Sequence, residues 1–142
     1  MDELEKAIAI ALKAHKGVLD KSGKPYILHP LRLMMQMDSE EARITAVLHD
    51  VVEDSSLSLA DLAASGFSSE IIDALALLTH DKDSVPYEDY IEGIKSNTLA
   101  RKVKLADLEH NMDFRRLQAP LSQRDLDRLQ RYRLAWDVLS DS

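Results

Sequence analysis

Residues 44 to 54 read Ile-Thr-Ala-Val-Leu-His-Asp-Val-Val-Glu-Asp, and no other stretch limits the fold as strongly. At about 100° per residue, a helix through it gathers His49, Asp50, Glu53 and Asp54 into a wedge of about 140°. Ile44, Val47, Leu48, Val51 and Val52 occupy the opposite side. One face must pack into a core while the other carries four metal- or proton-handling groups. Carboxylates stacked on one helical face repel by about a few tenths of a kcal/mol per pair, so a compensating positive charge is required. A divalent cation supplies it, and an adjacent His-Asp pair offers one ion both an imidazole nitrogen and a carboxylate oxygen. A His-Asp dipeptide alone is common and weak as a signal; Glu53 and Asp54 one turn later strengthen it.

The remaining chain predicts an all-α fold of about seven to eight helices. Strand-like alternation is nowhere sustained, and only four glycines and four prolines interrupt helical periodicity. A first helix runs from Asp2 to about Lys16, with Leu4, Ile8, Ala11 and His15 on one stripe. A lone histidine on an apolar face is more often a satisfied core residue than a ligand, so His15 is at most an outer neighbour of any site. The segment from Gly17 to Pro25 is a loop. Pro30 suits a helix start and restricts His29 before it, and the apolar residues through Met37 continue that helix, its methionines serving as core filler. After the site helix, Ser58 with Asp61 predicts a capped short helix to Ala64, and Ser69 to Leu78 a further one. Thr79 to Ser84, with a second His-Asp pair at His80 and Asp81, reads as a solvated turn. Helices follow from Val85-Pro86 to about Asn97, from Thr98 to about Phe114, and from Gln123 to about Leu139, the last capped by Ser122 with Asp125.

In the helix from Thr98, Lys104, Asp107 and Asn111 share a stripe at i, i+3 and i+7. An ordinary surface ion pair would explain Lys104 with Asp107, but His29 and His49 need a further anionic ligand, and Asp107 is placed to provide it. His110 is read as off that stripe and set aside. In the last helix Arg124, Arg128 and Tyr132 line up at helical spacing. Arg115, Arg116, Arg124, Arg128, Arg131 and Arg133 concentrate positive charge in a chain whose formal net charge is -7. A phosphate-bearing ligand accounts for that concentration, whereas the acidic balance speaks against a nucleic-acid surface. The absence of cysteine excludes disulfides, zinc thiolates and a thiol nucleophile. No apolar run approaches the roughly 20 residues a membrane helix needs, and the acidic start does not resemble a secretory signal. A cytoplasmic protein with no membrane partner and one domain over residues 1–142 is the expectation; the oligomeric state is left open.

Several stretches together resemble the HD-domain phosphohydrolases, and among them the hydrolase domain of RelA/SpoT-type alarmone enzymes. They are Ala14-His15, Lys21 to Leu31 (Lys-Ser-Gly-Lys-Pro-Tyr-Ile-Leu-His-Pro-Leu), Leu48 to Asp54, and Val103 to Asp107 with Asn111. They run in the family's order and span most of the chain. The resemblance implies that His29, His49, Asp50 and Asp107 hold one divalent ion, typically Mn²⁺. It further implies that Glu53 and Asp54 act on the attacking water, and that Asn111 lies near the substrate. Lys21, Ser22, Arg128 and Tyr132 match nucleotide-facing positions, and Lys104, Lys21 and Arg128 would neutralise phosphate charge. The implied reaction is release of pyrophosphate from the 3′ position of (p)ppGpp by a small, stand-alone hydrolase. One position departs: Asp20 stands where those hydrolases usually carry an arginine. A carboxylate beside a highly anionic substrate is unfavourable, which keeps open another ribose-phosphorylated nucleotide such as NADPH; a non-catalytic metal-containing nucleotide sensor is the third reading.

Overall fold

The computed structural model describes residues 2–141. Its central element is the helix α3 (Glu40–Leu48), in which Ala42 and every residue from Ile44 to Leu48 are buried. From Ile44 onward its one polar side chain is Thr45, so this stretch lies inside, with helices from earlier and later in the chain packed on it. Before it come α1 (Glu3–Ala14) and α2 (Leu28–Met35); after it come α4 (Val51–Asp54), α5 (Leu59–Ala64), α6 (Ser69–Leu78), α7 (Tyr87–Lys95), α8 (Thr98–Asn111) and α9 (Gln123–Ser140). A 3₁₀ turn, Phe114–Arg116, lies between α8 and α9. Counting the interrupted site helix α3–α4 once, the described residues hold eight α-helices, and their β pairing is a single isolated bridge, Leu19 to Pro25.

Two apolar clusters meet across α3. Ala7 and Ala11 of α1 pack with Ile44, Val47, Leu48, Val51, Leu62, Phe67, Ile71 and Leu75. Ala42 and Ala46, on the other side, pack with Leu33, Leu78, Ile91, Ile94, Val103, Leu108 and Leu139. The small side chains Ala42, Ala46 and Ala106 let α2, α3 and α8 approach closely, which brings the polar ends of three helices to one place. Both capping arrangements expected from the sequence form: Ser58 with Asp61 opens α5 and Ser122 with Asp125 opens α9.

Three boundaries differ from the sequence reading. The site helix is broken at His49–Asp50. In a continuing helix the Asp50 N–H would take the Ala46 carbonyl; instead that carbonyl accepts from His49 Nδ1 at 2.7 Å and from the His49 N–H at 3.4 Å. Asp50 then sits at φ -105°, ψ 0° before α4 begins. The second helix starts at Leu28, two residues before Pro30. α8 stops at Asn111 rather than running to Phe114, because the Asp113 carboxylate takes the Arg115 N–H and starts the 3₁₀ turn. Among the described residues no helix is long and apolar enough to cross a membrane.

Candidate metal centre and cleft

α2 contributes His29, the α3–α4 break contributes His49 and Asp50, and α8 contributes Asp107. Asp107 Oδ1 lies 2.8 Å from His29 Nε2 and 3.5 Å from His49 Nε2, and Asp50 Oδ2 lies 3.0 Å from His49 Nε2. Ligand atoms of His29, His49 and Asp50 all fall within 4.8 Å of one another. His29, His49 and Asp107 are buried, and burial of two carboxylates around two imidazoles demands a central positive charge.

The environment fits a divalent cation. His49 donates from Nδ1 to the Ala46 carbonyl, so in the neutral ring its Nε2 carries the lone pair. That Nε2 is buried and makes no hydrogen bond of acceptable geometry, despite the two carboxylates close by. A lone pair with no donor, facing carboxylate oxygens, is the arrangement a metal ion completes. Two imidazoles and two carboxylates without thiolate suit a borderline or hard divalent ion. The site's protonation carries the same message: burial pulls the His49 pKa down, yet Asp50 and Asp107 override it and hold it well above the ordinary histidine range. Burial pushes Asp50 up, but His49 beside it brings the carboxyl down to about 2. A cation, proton or metal, belongs in the middle.

Around these four the supports are specific. Tyr26 donates its hydroxyl to Asp50 Oδ2. Asp107 accepts from Lys104 Nζ at 2.9 Å and from Asn111 Nδ2 at 3.1 Å. Burial raises the Asp107 carboxyl, but Lys104 and the two histidines hold it well below the usual range. Burial likewise lowers Lys104, and Asp107 more than restores it.

The centre opens into a cleft of about 710 Å³ lined by Lys21, His49, Asp50, Glu53, Lys104, Asn111, Arg128 and Tyr132. A smaller cleft of about 330 Å³ adjoins it, sharing Lys21, Asn111 and Tyr132 and adding Ser22, His29 and Arg116. Glu53 Oε1 accepts from the His80 N–H at 2.6 Å, which fixes one end of its carboxylate. Asp54 is pushed up to about 6, first by burial and then by the charges of Asp50 and Glu53. Eleven of the twelve site residues read from the sequence thus lie at the centre or on the two clefts, Ser22 bordering only the smaller and Arg128 only the larger, whereas Asp54 is exposed, lines neither cleft and is linked to the centre through the charges of Asp50 and His49.

The arginines divide. Arg128 and Arg131 line the large cleft and Arg116 the small one, while Arg115 and Arg133 are exposed and paired with Asp113 and Asp137. Two readings need correction. Asp81 to Ser84 form the exposed turn expected, but His80 before them is packed: its ring lies 4.4 Å from that of Tyr90, its Nε2 is 2.7 Å from the Val85 carbonyl, and with Lys82 it borders the large cleft. His110 is no bystander: its Nδ1 is 2.7 Å from His29 Nδ1. It follows Asp107 by three residues, about 60° around the helix, so the i,i+3 rule was the signal that could have found it. His15 is buried against Tyr26, with rings 5.0 Å apart and both nitrogens unpartnered.

No protein-family model matches the chain. It is 34% identical over 117 residues to a guanosine-3′,5′-bis(diphosphate) 3′-pyrophosphohydrolase of Haemophilus influenzae, covering 72% of this chain and 17% of that one. It is 31% identical over 129 residues to a GTP pyrophosphokinase of Myxococcus xanthus, covering 79% and 17%. The bifunctional (p)ppGpp synthase/hydrolase SpoT of Escherichia coli is 31% identical over 123 residues, 77% of this chain and 17% of that one. The chain therefore spans about a sixth of the length of these relatives. A solved structure of a metazoan ortholog of SpoT that hydrolyses ppGpp superposes with a TM-score of 0.78 at 22% identity, covering 99% of this chain and 85% of that one. Sequence across most of its length and fold across nearly all of it agree: the chain belongs to the RelA/SpoT-type HD hydrolases.

Proposed function

We propose that residues 1–142 form one HD-type domain that hydrolyses (p)ppGpp, releasing pyrophosphate from the ribose 3′ position, with Mn²⁺ as the resident metal. The observation that carries this reading is the buried, unpartnered Nε2 of His49 among the carboxylates of Asp50 and Asp107, at the floor of a cleft walled by Lys21, Arg128 and Arg131. His29, His49, Asp50 and Asp107 would hold the ion, which when bound lowers the pKa of water and polarises a phosphoryl oxygen.

The chain's own residues supply the rest. Asp54, whose carboxyl titrates near 6, is suited to accept a proton close to neutral pH. Glu53, anchored by the His80 N–H, holds its free oxygen toward the cleft and orients the water. Lys21, Arg128 and Arg131 bind phosphate and set the reacting phosphorus against the centre, and Tyr132 and Tyr87 offer ring faces for the base. Lys104 acts chiefly through Asp107, since its Nζ is already bonded there.

The test is incubation with Mn²⁺ and ppGpp, resolving GDP plus pyrophosphate from stepwise phosphate loss by chromatography, with H49A as control. Pyrophosphate release by the native chain alone is expected. Absence of turnover on ppGpp, alongside turnover of NADPH in the same buffer, would replace the alarmone by a different ribose-phosphorylated nucleotide. Tight nucleotide binding without turnover of either would make the chain a sensor.

A further inference from the structure

His29 and His49 face the same carboxylates with Nε2, and each has its other nitrogen engaged. For His49 the partner is a backbone carbonyl, an obligate acceptor, so the neutral ring keeps its proton on Nδ1 and its lone pair on Nε2. For His29 the partner is His110 Nδ1 at 2.7 Å. The two rings are nearly parallel, 7° apart, with centroids separated by 4.9 Å. With their Nδ1 atoms this close, they lie edge to edge in nearly one plane, joined by a single in-plane hydrogen bond.

One proton occupies that bond, and its side decides what His29 presents. If it sits on His110, His29 carries its own proton on Nε2 and points an N–H at Asp107 Oδ1, 2.8 Å away. If it sits on His29 Nδ1, Nε2 presents a lone pair to the space shared with His49, Asp50 and Asp107. Only the second arrangement makes His29 a ligand.

We propose that His110 is a positioning residue: its Nδ1 accepts the His29 Nδ1 proton and thereby fixes both the ring plane and the ligand-competent tautomer of His29. The inference rests on the metal reading of the centre. α8 is built for it, since Asp107 and His110 are i,i+3 neighbours and one helix supplies both a carboxylate to the centre and the acceptor that aims the opposing imidazole. The helix end is held in turn by Arg116, which donates to the His110 carbonyl at 3.0 Å. Outer partners of metal-bound imidazoles are usually carboxylates, carbonyls or water; here a second imidazole takes that place.

The test is calorimetric titration of the chelator-treated full chain with Mn²⁺, comparing native protein with H110N and H110L. Asparagine places an amide acceptor near the position of Nδ1, whereas leucine has nearly the same shape without one. H110N is expected within about threefold of native affinity, and H110L about ten- to a hundredfold weaker, with both far-UV spectra native. In an H29A background, H110L should add no further loss, because the effect passes through His29. Native affinity in H110L overturns the proposal, as does an equal loss in H110N and H110L, which would mean that the ring only fills space. If H110L does not fold, H110F, a ring of similar size without an acceptor, takes its place with the same expectation. Failure of the native chain to bind Mn²⁺, Co²⁺ or Zn²⁺ sinks the metal reading itself and this inference with it, a result distinct from any difference among the variants.

Discussion

Asp54→Asn should make the protein more stable while disabling it. The Asp54 carboxyl is raised from 3.8 to about 6 by partial burial and by the negative charges of Asp50 and Glu53. For a fully buried group a shift of that size would correspond to about 3 kcal/mol. Asp54 is exposed, and solvent screening leaves about 1 kcal/mol of repulsion. The folded pKa lies above the unfolded one, so the folded chain holds the proton more tightly. The destabilisation is absent below about pH 4, grows between there and about pH 6, and is complete above. An amide cannot ionise, so metal-free D54N should melt about 3 °C above native protein at pH 7.5 and level with it at pH 4. Added Mn²⁺ should shrink the gain by attracting the carboxylate it replaces. Turnover should fall at least about a hundredfold. The assay is thermal denaturation in chelator at both pH values, with steady-state kinetics alongside. An equal or lower melting temperature at pH 7.5, or the same gain at pH 4, would refute the reasoning.

Lys104→Met leaves Asp107 buried without its cation and should cost about 3–5 kcal/mol in the metal-free protein, read from the urea midpoint. Mn²⁺ affinity should fall with acidification by about tenfold per pH unit wherever the ion displaces one proton from His49, because the neighbouring carboxylates raise that histidine's pKa; titration calorimetry between pH 5.5 and 8 measures the slope. Asp20→Ala removes the acceptor of the Ser22 and Lys24 N–H groups and should destabilise by about 1–2 kcal/mol. It should raise KM more than it lowers kcat, because the turn carries Lys21 and Ser22 toward the cleft.

The helices were legible because the signals behind them are local. The Ser58/Asp61 and Ser122/Asp125 caps formed as their spacing implied, and Ile44, Val47, Leu48 and Val51 of the expected packing face are buried. What escaped depends on groups distant in sequence or on competition for one atom. No periodicity reveals that His49 takes the Ala46 carbonyl with its own side chain and so ends α3. Yet this break fixes the relation of Asp50 to His49, which an unbroken helix would have left to rotamer choice. His80 gave no signal because its environment is made by Tyr90 in α7 and by Glu53 across the cleft. Arg128 was chosen and lines the large cleft, but the other arginines of α9 could not be sorted from sequence, since whether a guanidinium meets the cleft or a neighbouring carboxylate is decided by which side of α9 faces α7.

Asp20 shows how a local departure in sequence can leave the regional electrostatics intact. In isolation a carboxylate in place of an arginine reverses the charge on the loop that carries Lys21 and Ser22. In the folded chain that carboxylate is turned into its own loop, accepting from the Ser22 N–H at 2.9 Å, the Ser22 hydroxyl at 2.7 Å and the Lys24 N–H at 2.9 Å. Burial raises its pKa, but these bonds and the nearby Arg116 guanidinium, at 3.8 Å, lower it overall. An ionised carboxylate with its lone pairs directed at donors, and a cation beside it, projects little field into the cleft. Arg116 meanwhile reaches the same small cleft from the 3₁₀ turn after α8. Position 20 therefore supplies the turn, while Arg116 brings a cation to the small cleft beside it.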